Sequence, residues 1–405
     1  MSPRDWSDRD PELAAGPARL SRPGGAVVHP AGVGSEWGVP APATRVLLAS
    51  SVQHVLPAIA RTAEAIGLTV HASPQLLDLF DDGGGRGLAL LFQRLARVLT
   101  DAEAEALRVV TDPPLEGAAL TARLLTAPTL AVELARRGVT VEVGVLAEAD
   151  FRSVYQPIVS LGDRSVVAHE ALLRGVVDGR EVGGGDLFFV AERAGWLPQL
   201  DRIGRESALV GAEPWLADHD LYVNFHPASV YRPQVCLAGT ERVVAETGLA
   251  PVQLVVEVVE SHAIADRGHL VSVLDHFRSL GWRVALDDVG AGWSSLSVLA
   301  AVRPDVVKLD KRLVHELPDD GVRTVLRAVT DLAHELDAVV VAEGVETERL
   351  ADEVTALGAD LGQGWLFGRP VRRDSHREEP ETRWQPVERP ARAAAPQPVS
   401  AAPTR

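Results

Sequence analysis

Short apolar runs alternate with helical patterns in the second half of the chain. The runs are VVAHEAL, LYVNF, LVVEV, RVALDD, DVVKLD, AVVVAEG and ADLGQGWLF, each short enough to be one buried strand. Between most of them, over 187–196, 201–214, 267–280, 321–336 and 347–357, apolar residues recur every three or four positions. Strands alternating with helices over 151–370 predict a parallel sheet, and a span of about 220 residues suits a (β/α) barrel. A flat doubly wound sheet is the alternative that the pattern leaves open.

A second, smaller α/β pattern precedes it over 43–148. RVLLAS and LTVHAS read as strands, with a helical segment between them that ends at Gly67. Residues 87–99 and 101–110 read as helical, and VTVEVGV near 139–145 as a third strand. This region carries no P-loop, no G-x-G-x-x-G and no cluster of metal-ligand residues. Its place ahead of the barrel suggests a sensory or regulatory role by analogy alone. Residues 1–42 and 371–405 are rich in Pro, Ala and charged or small residues, and read as a disordered leader and tail. No candidate ligand lies before the barrel, so a fragment of 148–372 is expected to fold and keep its chemistry.

Composition narrows the classes. The chain has 405 residues, 46% hydrophobic and 24% charged, as in a globular protein. A net charge of −16 argues against nucleic acid or an anionic membrane as partner. One cysteine, Cys236, excludes an intrachain disulfide and a Cys-based zinc site. No run approaches the ~18 apolar residues of a membrane span, and no secretory signal opens the chain, so a cytoplasmic location is expected. Only Lys308 and Lys311 are lysines and only Asn224 is asparagine, which directs attention to these positions.

The apolar runs end in polar residues: Glu170, Asn224, Glu257, Asp287 with Asp288, Lys308, Glu343 and Gln363. One acidic strand end is commonly a helix cap or turn. Seven in succession exceed what capping explains, and in a (β/α) barrel such ends converge on the mouth that carries catalytic groups. The five carboxylates would repel one another and raise one another's pKa values. Oxygen ligands without Cys or His favour Mg²⁺ or Mn²⁺, and the Asp287–Asp288 pair could serve two ions from one strand. Two such ions suit hydrolysis of a phosphodiester, with Lys308 orienting water or offsetting developing charge. Arg174 could pair with a phosphate or be an ordinary solvated arginine. Glu260, three residues past Glu257, reads on its own as a cap of the segment after its strand. GAGWSS at 290–295 reads as a flexible loop opening a helix, its glycines either simply making the turn or, directly after Asp287–Asp288, serving to gate the site. His169 and His226 adjoin ligands but read as packing residues.

These residues resemble the EAL domain family of bacterial cyclic di-GMP phosphodiesterases. The motif HEALLR at 169–174 is accompanied, in order, by YQPI (155–158), AERAGWLPQLD (191–201), VNFHPAS (223–229), EVVES (257–261), DDVGAGWSS (287–295), VKLD (307–310), VAEGVET (341–347) and GQGWLFGRP (362–370). The resemblance implies a variant (β/α)₈ barrel that opens cyclic di-GMP to linear pGpG with two Mg²⁺ or Mn²⁺ ions. It implies Glu170, Asn224, Glu257 and Asp287 as primary metal ligands and Asp288 as a ligand of the second ion. Lys308 and Glu343, with Glu170, match the catalytic centre; Asp310, Glu346 and Gln363 support it. Gln156 and Arg174 match substrate-side positions. Glu260 matches the residue that anchors a loop associated with dimerisation, so a homodimer through the barrel is expected.

Besides FHPAS after Asn224, where many members have a shorter polar pattern, three positions depart from the family pattern. Val259 stands where a Thr is usual, Val289 where a Phe is usual and Trp293 where a Tyr is usual. They put the rate and the loop's coupling in question rather than the ligand set. An alternative is a silent receptor that binds cyclic di-GMP and signals through a partner; an unrelated metal-dependent barrel hydrolase would share only the acidic mouth. A cyclase role finds no support, since GGGDL at 183–187 lacks the GGDEF pattern.

Overall fold

The structure, a computed structural model, describes residues 37, 40, 42–50, 52, 54–113, 117–213, 215–230, 232–259, 267–290 and 295–372. Nearly all of the leader, the tail from residue 373, Glu260 and most of the GAGWSS turn lie outside the described residues. Among the described residues no helix is long and apolar enough to cross a membrane.

The upstream region runs β1 (Arg45–Ser50), α1 (Val55–Ala65), β2 (Thr69–Ala72), β3 (Leu76–Phe80), α2 (Arg86–Val98), α3 (Asp101–Glu105), β4 (Leu107–Thr111), α4 (Ala118–Leu125), α5 (Leu130–Arg136) and α6 (Gly144–Glu148). Its four strands form an antiparallel sheet in the order β2-β3-β1-β4. Period-two alternation sends Val46 and Leu48 to one face, against Ile59 of α1 and Leu88, Phe92 and Leu95 of α2. Leu47 and Val110 face the other way, toward Leu120 and Leu124 of α4.

Two sequence expectations fail in this region. The helix over 101–110 stops at Glu105, and Leu107–Thr111 forms β4 on the edge of the sheet. The Thr100–Glu103 capping box secures a helix only one turn long, and LRVVT then pairs with β1. The expected strand at 139–145 is also absent. Val143 and Leu146 are buried, but in the turn and first residues of α6.

The barrel begins with β5 (Asp150–Ser160), β6 (Val166–Val177), β7 (Arg180–Gly183), α7 (Gly184–Arg193), α8 (Leu197–Ala212) and β8 (Asp220–Phe225). It continues with α9 (Pro233–Cys236), α10 (Ala238–Thr247), β9 (Leu254–Val259), α11 (Arg267–Ser279), β10 (Arg283–Val289), α12 (Ser295–Val302) and β11 (Val306–Leu309). It ends with α13 (Lys311–His315), α14 (Asp320–Glu335), β12 (Val339–Ala342), α15 (Glu348–Leu357) and β13 (Leu361–Gln363). The strands close in the order β5-β13-β12-β11-β10-β9-β8-β6 and back to β5, with β7 as an extra strand on β6. Closure excludes the flat doubly wound sheet. The ring is parallel except for β5, which is antiparallel to both β6 and β13.

Inside the barrel, Ala168, Tyr222, Val255, Ala285, Val306 and Val341 form an apolar floor. Two residues further along, on the same inward face, stand Glu170, Asn224, Glu257, Asp287 and Lys308 within their strands and Glu343 directly after β12. Gln363 likewise follows Leu361 by two. On reversed β5 the order inverts, and Gln156 precedes Ile158 of the floor by two. Period two thus stacks a complete polar layer on a complete apolar one. Glu170 is not a strand end as expected: β6 continues to Val177, beyond the polar layer, because β5 and β7 pair with its extension.

The two regions share an apolar seam. Trp37, Ala135, Val143 and Leu146 are buried in one cluster with Leu173, Leu187, Ala191 and Trp196 of the barrel. Cutting the chain at residue 148 uncovers the barrel side of that cluster. A 148–372 fragment is therefore expected to melt at a lower temperature than the full chain and to self-associate, as read by circular dichroism and light scattering. A fragment as stable and monodisperse as the full chain would show the seam to be energetically idle.

Candidate active site

Lys308 stands at the centre of the polar layer. Its side chain is 1% exposed, and its Nζ lies 2.6 Å from Glu257 Oε1, 2.7 Å from Glu343 Oε1, 3.3 Å from Asp287 Oδ1 and 3.5 Å from Glu170 Oε2. Burial acts to lower its pKa, but Asp287, Glu170, Glu257 and Glu343 outweigh that and raise it well above the usual lysine range.

The carboxylates are held unequally. Burial pushes Glu170 upward, yet Lys308 and hydrogen bonds from Gln363 and Asn224 outweigh it and leave it below the usual range. Gln363 Nε2 donates to Glu170 Oε2 at 2.6 Å, and Asn224 Nδ2 donates to Glu170 Oε1 at 3.1 Å. Gln363 Nε2 also donates to Gln156 Oε1 at 3.2 Å, and Gln156 Nε2 donates to the Gly368 carbonyl at 3.1 Å. Glu257 is raised well above its ordinary value by burial and by Glu170. Burial, then Asp287 and Glu170, push Glu343 up to about 8 against the pull of Lys308.

A regular strand would send Asp287 and Asp288 to opposite faces. Here the β10–β11 register shifts between Leu286 and Val289, and Asp288 takes a left-handed φ of 56°. This local break brings oxygens of Asp287, Asp288 and Glu343 within 4.8 Å of one another. Burial, Asp287 and Asp310 raise Asp288 to about 6. Asp310 is itself buried and caps α13, accepting from Arg312 N at 2.6 Å and from Arg312 Nη2 at 3.0 Å.

The donor set fits hard divalent cations. Four carboxylates contact one ammonium, with the Asp288 carboxylate and the Asn224 amide beside them. Both oxygens of Glu257 lack a hydrogen-bond partner among the described residues, and only Oε1 is in ion-pair contact with Lys308. A buried carboxylate oxygen with no partner is costly unless a cation takes it.

Arg174 lies outside this network, on the extension of β6. It pairs with Glu181 through Nε at 3.3 Å, and Glu181 also binds Arg152 at 3.0 Å. With Asn224 it lines a cavity of about 500 Å³ whose wall includes Phe188, Phe189, Glu192 and Val259. Glu346 is exposed after β12 and makes no contact with the network among the described residues. Glu260, the expected loop anchor, lies outside the described residues. His169 packs edge-on against Trp215 at 4.9 Å, as a packing residue should.

Sequence reading missed the cavity wall. Adjacent Phe188 and Phe189 on a helix were the available signal, since Phe189 remains 54% exposed. Asp201, the last residue of the AERAGWLPQLD motif, had been given no role. It accepts from His226 N at 2.9 Å and from Ser229 and Arg205, fixing the chain just after Asn224.

A closed (β/α)₈ barrel with one reversed strand and a carboxylate-lined mouth narrows the family to few candidates. Residues 142–370 match the model of the EAL domain, and the chain belongs to the EAL domain family. It is 30% identical over 228 residues to MucR of Pseudomonas aeruginosa, a bifunctional diguanylate cyclase/cyclic di-GMP phosphodiesterase, covering 54% of this chain and 32% of that protein. The solved PaMucR phosphodiesterase in complex with c-di-GMP is similar at 28% identity and a TM-score of 0.50, over 55% of this chain and 92% of that one. Klebsiella pneumoniae BlrP1 shares the fold at 22% identity and a TM-score of 0.51, over 81% of this chain and 96% of that one. The chain spans 32% or less of the length of several curated relatives, among them an uncharacterized signaling protein of Caulobacter vibrioides at 27%.

Proposed function

We propose that the protein hydrolyses cyclic di-GMP to linear pGpG, using two Mg²⁺ or Mn²⁺ ions. The observation that carries this reading is the full polar layer: Glu170, Asn224, Glu257, Asp287 and Glu343 around Lys308, with Asp288 folded in beside them. Glu170, Asn224, Glu257 and Asp287 would hold one ion and Asp288 the second. Bound there, the ions would lower the pKa of the attacking water and offset charge on the phosphoryl oxygens.

The chain's own groups do the rest. Lys308 fixes the Glu343 carboxylate at 2.7 Å and supplies positive charge against the negative charge that builds on the phosphoryl oxygens. Glu343, beside Lys308 and the Asp287–Asp288 pair, is placed to accept a proton from the attacking water. Gln363 and Gln156 hold Glu170 in place through the 2.6 Å and 3.2 Å bonds. Arg174 lines the cavity as a cation for a ligand phosphate, and the aromatic rings of Phe188 and Phe189 in the same wall could pack against a purine.

The test is chromatography of nucleotides after incubation of the purified chain with cyclic di-GMP and Mg²⁺ or Mn²⁺. The expected product is pGpG, lost when the metal is chelated. Ca²⁺ is expected to support nucleotide binding with little turnover, because its larger, looser shell positions water poorly. Binding with Mn²⁺ and no pGpG would replace this reading with that of a receptor. A homodimer through the barrel accompanies the reading, and light scattering of the full chain measures it.

A further inference from the structure

Helix α7 has two differently occupied faces. Leu187, Val190, Ala191 and Ala194, spaced i, i+3, i+4 and i+7, are buried against Trp37, Ala135, Val143 and Leu146 of the upstream region. The neighbouring stripe, Gly185, Phe188, Phe189 and Glu192, lines the cavity beside Arg174 and Asn224. One ten-residue helix is thus both the seat of the upstream region and a wall of the cavity.

The end of α7 is fixed from upstream. The helix closes with Trp196 N–H donating to Ala191 O at 2.7 Å and Gly195 N–H to Glu192 O at 3.0 Å, with Gly195 at φ 65°. Arg136 of α5 donates from Nε to the Ala194 carbonyl at 2.7 Å, placing a cation at the negative end of the helix dipole. A Cβ on Gly195 would come within 3.0 Å of Arg136 Nη2, so glycine there admits the guanidinium. Trp37 meets Trp196 edge-on at 5.4 Å, just past the same helix end. Arg136 and Trp37 both lie outside residues 142–370, the part of the chain that matches the family.

We propose that Arg136 and Trp37 are positioning residues for the nucleotide: they set α7, and through Phe188, Phe189 and Glu192 they set the cavity that receives cyclic di-GMP. This rests on the reading of that cavity as the cyclic di-GMP site. The metal-centre residues come from strands, Glu343 directly after one, and not from α7. Displacing α7 therefore weakens nucleotide binding without disturbing the polar layer. The upstream region acquires a physical route to the substrate that needs no contact with it.

The experiment compares the full chain with Arg136→Ala and Trp37→Ala, using cyclic di-GMP and the small diester bis(p-nitrophenyl) phosphate, which needs the metal centre but not the cavity. Both variants are expected to raise KM for cyclic di-GMP about tenfold, a usual size for coupling between sites. kcat, hydrolysis of the small diester and Mn²⁺ affinity should stay within about twofold of the parent. Arg136→Lys should recover part of the loss, since an ammonium can still donate to the Ala194 carbonyl. An equal fall with both substrates, or no change with either, would overturn the proposal. If Trp37→Ala does not fold, Arg136→Ala decides, because that side chain is partly exposed. Should the parent hydrolyse neither substrate, the hydrolase reading fails by itself. The positioning role is then read from the calorimetric Kd for cyclic di-GMP, expected to weaken about tenfold in the same variants; an unchanged Kd would overturn it.

Discussion

Lys308→Met is expected to reduce cyclic di-GMP turnover by about a hundredfold or more while leaving nucleotide binding in place. The ammonium is the shared partner of Glu170, Glu257, Asp287 and Glu343, and methionine fills nearly the same volume without the charge. A second effect follows from burial. With metal chelated, loss of the lysine leaves the carboxylates without their cation, at a cost of about 3–5 kcal/mol in stability. Added Mn²⁺ should recover most of it by supplying the missing charge. Steady-state kinetics and thermal melts with and without Mn²⁺ check both parts. Wild-type turnover in this variant would mean that Lys308 serves only to balance charge in the metal-free protein.

Glu257→Gln should separate metal affinity from stability. Burial and Glu170 raise the Glu257 carboxyl well above its ordinary pKa, so a charge at this position is disfavoured when no metal is bound. Glutamine keeps nearly the same shape without that charge, and the metal-free melting temperature should move little. Mn²⁺ affinity, read by calorimetry, should fall about a hundredfold or more, since a ligand's loss costs at least as much as an outer partner's. Turnover should fall with it. Asn224→Ala and Glu170→Ala should also lose both metal affinity and turnover. Glu170 differs in one respect: Lys308, Gln363 and Asn224 hold it ionised against burial, so Glu170→Ala should also destabilise the metal-free protein. A Glu257→Gln protein that binds Mn²⁺ like the parent would remove Glu257 from the ligand set.

The polar layer was legible because a barrel repeats one arrangement in every strand. Each apolar run carried its functional residue two places beyond its floor residue, and the sequence order of the runs is nearly the order around the ring. What the sequence concealed depended on partners distant along the chain. VTVEVGV alternates as a strand does, but Val143 and Leu146 are claimed by α7 and Trp196, far along the chain. LRVVT continues a helical stretch and becomes a strand only because β1 offers an edge. The gathering of Asp287 with Asp288 needed a register break and a left-handed residue that the DD pair does not announce. The rarity of lysine drew attention to Lys308, but only side-chain placement shows that it touches carboxylates of four strands or strand ends.

The reversal of β5 decides where any upstream passenger must sit. In an all-parallel barrel the chain enters at the floor, on the face opposite the chemistry. Because β5 runs the other way, Asp150 and Arg152 lie beyond Gln156 on the side of the polar layer away from Ile158, paired with the extension of β6 that carries Arg174. Polypeptide arriving from upstream is delivered to the rim. A different upstream module grafted at this junction would meet the same rim, so the barrel can be placed under new control without altering a single strand.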